Sequence, residues 1–88
     1  MVRSQDSVRF APGKMAAPRN TKALKRLGSR VREQRRERGL SQEALAFDAE
    51  IHVNHLSALE RGEANPSFLV LLSLAKVLKV TLPELIGE

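Results

Sequence analysis

The chain contains no cysteine, tryptophan or tyrosine, and only three of its 88 residues are phenylalanine. The absence of cysteine excludes a disulfide framework, a cysteine-based metal site and a thiol nucleophile. No apolar run approaches the roughly 18–20 residues needed to span a bilayer. The first residues, MVRSQDSVRFAPGK, have no apolar core segment, so we expect no secretory signal, no membrane partner and a cytoplasmic location. An Arg-rich transit peptide is a formal alternative.

Basic residues are concentrated in the first part of the chain. Residues 1–38 carry twelve Lys or Arg against three acidic residues, whereas residues 39–88 carry three against seven. This asymmetry predicts a basic arm or face that meets a polyanion. The alternative is a solvated charged helix with a solubilising tail. Residues 1–20 hold Pro12, Gly13 and Pro18 and show no apolar period, so we predict a flexible basic arm followed by a folded domain over residues 21–88.

The first predicted helix, Lys22–Arg38, places an arginine on its apolar stripe. Leu24, Leu27 and Val31 are spaced i, i+3, i+7, and the next position of the stripe is Arg35. Burying an arginine costs several kcal/mol unless it has a partner, so an acidic residue elsewhere is expected to pair with it. The alternative is that Arg35 reaches solvent along the protein surface.

Two short helices follow with almost no linker. Ser41 is a good N-cap for one, and the other is predicted at about His52–Arg61 with Glu60 at the margin of its apolar face. Helices below ~12–15 residues are marginal alone, and so short a joint favours a steep helix-turn-helix crossing over antiparallel packing. Glu60 is the candidate partner of Arg35. The expected inward residues are Leu45, Ala46, Ala49, Leu56 and Leu59, with Ile51 buried in the turn.

The remaining chain predicts two more helices and no strand. Pro66 and Ser67 open a strongly apolar helix to about Leu78, and Thr81 with Glu84 forms a capping box for the last helix. Leu82, Leu85 and Ile86 are expected to face inward. The fold class is therefore all-α, a compact domain of five helices.

Three segments carry a family resemblance: RERGLSQEALA, LERGEANPS and LLSLAKVLKVTLPELI. Through them, residues 22–86 resemble the Cro/phage-repressor (XRE-like) helix-turn-helix family. The resemblance implies a five-helix repressor-like domain with its helix-turn-helix at about residues 41–61. It also implies a sequence-specific DNA-binding transcriptional regulator, nucleoid-associated when bound. A homodimer would bind a two-fold operator, with the recognition helix, about residues 52–61, in the major groove.

The resemblance also implies roles for single residues. Gln42 matches a phosphate contact at the start of the second helix, Asn54 matches a position that meets base edges, and Arg35 with Glu60 matches a buried ion pair. Leu69, Val70 and Val77 replace polar residues and predict a symmetric dimer interface; the alternative is a larger core or an apolar surface. The expected DNA contacts are Gln42, His52, Val53, Asn54, His55, Ser57, Ala58, Arg61, Lys22 and Arg26, with further affinity from Arg19, Lys25 and Arg30.

Departures from the family pattern weaken direct readout. Glu50 stands where the turn usually has glycine, and Val53 and Ala58 stand where arginine is frequent, so readout falls mainly to Asn54. A protein-interaction module that has lost DNA readout is therefore the alternative function. His52 and His55 are three residues apart but lack an evident third ligand, so no metal or cofactor is expected. No catalytic residue is predicted, the protein is not expected to be an enzyme, and no small-molecule ligand is expected in so short a chain.

Overall fold

A computed structural model describes residues 20–87 and shows an all-helical fold for them, with no strand in that range. This confirms the predicted fold class. The predicted basic arm, residues 1–20, lies outside the described residues except for Asn20, and so does Glu88. No helix of the described part is long and apolar enough to cross a membrane. Residues 20–87 form five helices: α1 Thr21–Glu37, α2 Gln42–Ala49, α3 Val53–Glu60, α4 Phe68–Leu78 and α5 Leu82–Ile86.

Each of these five helices is preceded by a residue whose side chain caps it. Ser41 Oγ accepts from Ala44 N–H at 3.0 Å, as expected from the sequence. Asn20, His52 and Ser67 cap α1, α3 and α4 in the same way. At α5 the predicted capping box is present: Thr81 Oγ1 accepts from Glu84 N–H, and Glu84 Oε1 accepts from Thr81 N–H at 2.7 Å. These caps satisfy helix-end donors that would otherwise lack partners.

The core is formed by one apolar face of each helix. The predicted inward residues of α2 and α3 are buried, and in α5 Leu85 is buried while Leu82 and Ile86 are half-buried against the core. Ile51 was expected to be buried but is only half-buried, because the turn lies at the edge of the core, where Ile51 N–H donates to Ala46 O at 2.9 Å. The largest fully buried side chains are Val31, Leu45, Leu56, Leu59, Leu74, Leu78 and Leu85.

Two glycines let α1 approach the end of α3 closely. A Cβ on Gly28 would meet the backbone carbonyl oxygen of Leu59 and would lie 2.6 Å from that of Glu60. Gly62, with φ +77°, follows α3, and a Cβ there would lie 2.7 Å from Lys25 Cγ. No side chain fits at such distances, so the last turn of α3 packs directly against the α1 backbone. This contact braces α3 from one side and leaves its other side exposed.

Candidate nucleic-acid interface

The turn between α2 and α3 consists of three residues, one of which has left-handed backbone. Glu50 has φ 59° and ψ 42°, the region that favours glycine. Its N–H donates to Phe47 O at 3.1 Å and closes the end of α2. His52 then has extended backbone, with φ −72° and ψ 138°, and opens α3. The XRE-like pattern, which usually has glycine at this position, agrees with the left-handed backbone of Glu50. The left-handed residue reverses the chain so that α3 starts immediately beside α2.

The outer side of α3 is a row of residues at helical spacing. Leu56, Leu59 and Glu60 are buried on the inner side. Because residues four and seven apart share a helix face, Asn54, Ala58 and Arg61 form the outer row. Asn54 and Arg61 are exposed and Ala58 is half-buried. Of the other predicted contacts, Val53, His55 and Ser57 are half-buried and flank this row. The structure therefore brings six of the expected contact residues to one surface.

His52 adds a polar atom at the start of this surface. Its Nδ1 accepts a hydrogen bond from Asn54 N–H at 3.1 Å. An accepting Nδ1 carries no proton, so the neutral ring carries its proton on Nε2, which becomes a donor. His52 itself is exposed. Among residues 20–87 no group of three or more His, Cys, Asp or Glu is placed to hold a metal ion.

Arg35, Glu60 and Gln42 form one hydrogen-bonded network. Arg35 Nε donates to Glu60 Oε2 at 2.7 Å and Arg35 Nη2 donates to Glu60 Oε1 at 3.1 Å. Arg35 Nη1 also donates to Leu40 O at 2.8 Å. Gln42 Nε2 donates to Glu60 Oε1 at 3.0 Å. The expected partners therefore lie together, and the network joins α1, the start of α2 and the end of α3.

The contact between Gln42 and Glu60 was not anticipated from the sequence. One N–H of the Gln42 amide group is used by Glu60, which leaves its second N–H and the backbone N–H groups of Gln42 and Glu43 for a ligand, since that of Ala44 donates to Ser41. No local pattern signals this contact, because the two residues are 18 positions apart. The orientation of the Gln42 side chain is thus set by the buried ion pair.

Arg61 lies along the outer side of α3. Its Nη1 donates to Ser57 Oγ at 2.7 Å, and its Nε is 3.0 Å from Glu63 Oε1. The side chains of Arg61 and Glu63 are 55% and 62% exposed, so this ion pair is solvated and weak. The guanidinium group is therefore held over the last turn of α3 by contacts that a stronger anionic partner can replace.

The predicted basic contacts on α1 are not all brought to this surface. Lys22 is exposed in the first turn of α1. Arg30 Nε donates to Glu84 O, within α5, at 2.7 Å. Arg26 lies beside it, since a Cβ on Gly87 would be 3.5 Å from Arg26 Cδ. Arg26 and Arg30 therefore pack on the α5 side of α1, whereas α3 contacts α1 through Gly28.

The apolar residues expected at a dimer interface differ in their exposure. Leu69 is 72% exposed, whereas Val70 and Val77 are half-buried and pack against the core. Val77 also lines a groove between the ends of α2 and α4. The exposed apolar surface of α4 instead continues from Leu69 to Phe68, which is 62% exposed, and Leu72, which is 39% exposed.

Comparison with known proteins places the chain in a family. A family model described as Helix-turn-helix matches residues 31–85. The chain is 46% identical over 61 residues to the HTH-type transcriptional regulator DdrOP3 of Deinococcus deserti, a match that covers 69% of this chain and 47% of that protein. It is 40% identical over 62 residues to the uncharacterized HTH-type transcriptional regulator y4dJ of Sinorhizobium fredii, covering 70% and 80% of the two chains. The chain thus matches about half the length of the first of these relatives and most of the second.

A solved structure agrees with these matches. The restriction-modification controller protein C.AhdI from Aeromonas hydrophila superimposes with a TM-score of 0.71 at 39% identity, over 73% of this chain and 97% of that one. The family and its named relatives are regulators of transcription and not enzymes, which confirms that part of the sequence prediction. The chain belongs to the helix-turn-helix family of transcriptional regulators, as its resemblance to XRE-like proteins predicted.

Proposed function

We propose that this protein is a sequence-specific DNA-binding regulator of transcription, cytoplasmic and nucleoid-associated when bound, that inserts α3 into the major groove. The observation that carries the proposal is the two-sided character of α3. Its inner side is buried and held against α1 at Gly28, while the row of Asn54, Ala58 and Arg61 faces outward. An α-helix presented in this way fits the width of the major groove.

Asn54 is the residue best suited to read a base. It is exposed at the start of the outer row, and its amide group can pair with both N6 and N7 of adenine. Val53, beside it, offers a methyl contact to thymine, and the Nε2 donor of His52 can reach a base or a phosphate. The surface has few charged groups, so sequence discrimination depends on Asn54 and on the fit of small side chains such as Ser57 and Ala58.

Gln42 is proposed to bind a backbone phosphate. It is the first residue of α2, where unpaired backbone N–H groups and the helix dipole favour an anion. Because Glu60 already holds one N–H of its amide group, the Gln42 side chain loses little conformational freedom when the phosphate binds. Arg61 provides a second phosphate contact at the far end of α3, and Lys22 a third from the first turn of α1.

A homodimer is proposed on the apolar surface of α4. Phe68, Leu69 and Leu72 are large, exposed and adjacent on the helix, and such a patch is typical of an interaction surface. A two-fold dimer would place two half-sites about one helical turn of DNA apart. Light scattering after size exclusion at micromolar concentration should give twice the chain mass. Leu69→Lys should give a monomer, whereas a wild-type monomer would contradict the proposal.

The region before α1 is proposed to be a basic arm, residues 1–20, that follows the DNA backbone, with residues 21–88 as the DNA-binding domain. The arm is rich in basic residues, and its last residue, Asn20, leads directly into α1. Removal of residues 1–19 should reduce the slope of log K against log salt by about 0.9 for each lost phosphate contact. An unchanged slope would identify the segment as a leader without a DNA contact.

A mobility shift with mixed-sequence duplex DNA at low salt tests the main proposal, followed by selection of bound genomic fragments. We expect retarded complexes and enrichment of a two-fold symmetric site. The second candidate function is a protein-interaction module of the same fold, which is favoured by Phe47, 82% exposed on the outer side of α2 between Glu43 and Asp48. Failure to retard any duplex at low salt would reject DNA binding and favour this second function.

A further inference from the structure

Two parallel rows of side chains run along the solvent side of α1 and differ in charge. Residues i, i+4, i+7 and i+11 share a helix face. The Lys25 row consists of Lys25, Ser29, Arg32 and Arg36, all exposed and without an acidic member. The Arg26 row consists of Arg26, Arg30, Glu33 and Glu37, whose charges cancel.

The Arg26 row is occupied by contacts within the domain. Arg30 Nε donates to Glu84 O at 2.7 Å, and Arg26 packs beside Gly87. Its two arginines also share their face with Glu33 and Glu37, which would repel a phosphate. This row therefore stabilises the contact between α1 and α5 and is a poor surface for a polyanion.

The Lys25 row lies on the flank of α1 that meets α3. Lys25 contacts Gly62, in the turn after α3, and Arg32 is one helical turn beyond Gly28, which touches the last turn of α3. Arg36 directly follows Arg35, which binds Glu60 and through it reaches Gln42. The ion pairs between described residues, Arg35 with Glu60 and Arg61 with Glu63, do not include any member of this row. Three cations therefore continue the proposed interface from the end of α3 along α1.

We propose that Lys25, Arg32 and Arg36 bind phosphates of the DNA backbone beside the groove that α3 enters. This inference rests on the proposed function and assigns the salt-dependent contacts of α1 to the Lys25 row in place of Arg26 and Arg30. The occupant is a duplex backbone, because three cations in a line about three helical turns long, without an ion-pair partner among residues 20–87, match a regularly charged rod. The acid-free row has no partner of opposite charge among residues 20–87.

The test compares two variants that remove the same charge. Arg32→Gln with Arg36→Gln neutralises the row, and Lys76→Gln with Lys79→Gln neutralises two exposed lysines at the end of α4. Affinity for a mixed-sequence duplex of about three helical turns is measured against salt concentration. The row variant should reduce the magnitude of the slope of log K against log salt by about 1.8, the value for two lost phosphate contacts. The α4 variant should leave the slope nearly unchanged.

Each result has a distinct meaning. If the wild-type protein binds DNA and the two variants have equal slopes, the phosphate contacts of the Lys25 row are overturned and the proposed function remains. If the wild-type protein does not bind DNA at low salt, the proposed function is overturned, and so are the phosphate contacts assigned to the Lys25 row. Thermal unfolding of both variants, expected within the range of ordinary surface substitutions, separates lost contacts from lost folding.

Discussion

Arg35 and Glu60, 25 positions apart in the sequence, form a bidentate ion pair with 2.7 Å between Arg35 Nε and Glu60 Oε2. Their side chains are only 10% and 3% exposed. The pair joins the first helix to the third, and Gln42 and Leu40 O complete its hydrogen bonds. An arginine on an apolar stripe is thereby accommodated, because its charge and its donors have partners.

Arg35→Ala should therefore lower the free energy of unfolding by about 3–5 kcal/mol, because it leaves the Glu60 carboxylate buried without its cation. Urea denaturation measures the loss. The matched control is Arg36→Ala, which removes an exposed guanidinium group from the next position and should stay within about 0.5 kcal/mol of wild type. Similar losses for the two variants would mean that Arg35 is solvated in the folded protein.

Gly28→Ala should destabilise the protein although alanine favours helices. The new Cβ would meet the carbonyl oxygen of Leu59 and lie 2.6 Å from that of Glu60, so α3 must move away from α1. Overpacking of this kind costs about 1–3 kcal/mol, which exceeds the ~0.5–1 kcal/mol gained in helix propensity. Thermal unfolding should show a lower midpoint temperature for Gly28→Ala and no decrease for the neighbouring exposed Ser29→Ala. A higher midpoint for Gly28→Ala would contradict the close contact.

Glu50→Gly should stabilise the turn before α3. The left-handed conformation costs a residue with a side chain about 1–2 kcal/mol, and the greater unfolded-state entropy of glycine offsets about half of that. We expect chemical denaturation to show a free energy of unfolding that is about 0.5–1 kcal/mol higher than in the wild type. Lys79→Gly, at the same backbone angles, should gain similarly, whereas Lys76→Gly, inside α4, should lose stability. A lower free energy of unfolding for Glu50→Gly would show that the Glu50 side chain stabilises the turn.

The elements that could be predicted from the sequence are those specified by local patterns. The capping residues Ser41 and Thr81 and the apolar stripe of α1 each follow from a few neighbouring positions, whereas the left-handed turn at Glu50 was implied only by the family resemblance. The need for a partner at Arg35 could also be deduced, because an arginine at a core position has few alternatives.

Features that depend on how helices meet could not be predicted in the same way. Gly28 is a glycine inside a helical pattern, which signals a close approach but does not say to what. The exposure of Leu69 and the partial burial of Val70 and Val77 depend on the orientation of α4 in the core. The separation of Arg30 from the α3 surface required the position of α5, since Arg30 binds Glu84 O there.

Glu84 should make stability depend on pH in acid. Hydrogen bonds from the backbone N–H and then the side chain of Thr81, with the nearby charge of Arg30, hold the pKa of Glu84 below its ordinary value of 4.5. Because the folded-state pKa is lower than the unfolded one, the contribution is full above pH 4.5 and is lost as the pH falls through the folded-state pKa. Urea denaturation of Glu84→Gln should show a shallower decline in acid than wild type. Glu33→Gln, which removes an exposed carboxylate from α1, is the control, and an equal change there would mean that the capping box is not responsible.

Asn54→Ala should reduce discrimination between DNA sequences and not general affinity. Loss of two hydrogen bonds to one base should cost about 1–3 kcal/mol on a selected site and little on mixed-sequence duplex. Arg61→Gln, at a proposed phosphate contact, provides the contrast, because loss of a contact with the DNA backbone should weaken binding to both duplexes to the same extent. Competition binding with the two duplexes gives the ratio of affinities for each variant. If Asn54→Ala left that ratio unchanged, α3 would not be the element that reads the sequence, even in a protein that binds DNA well.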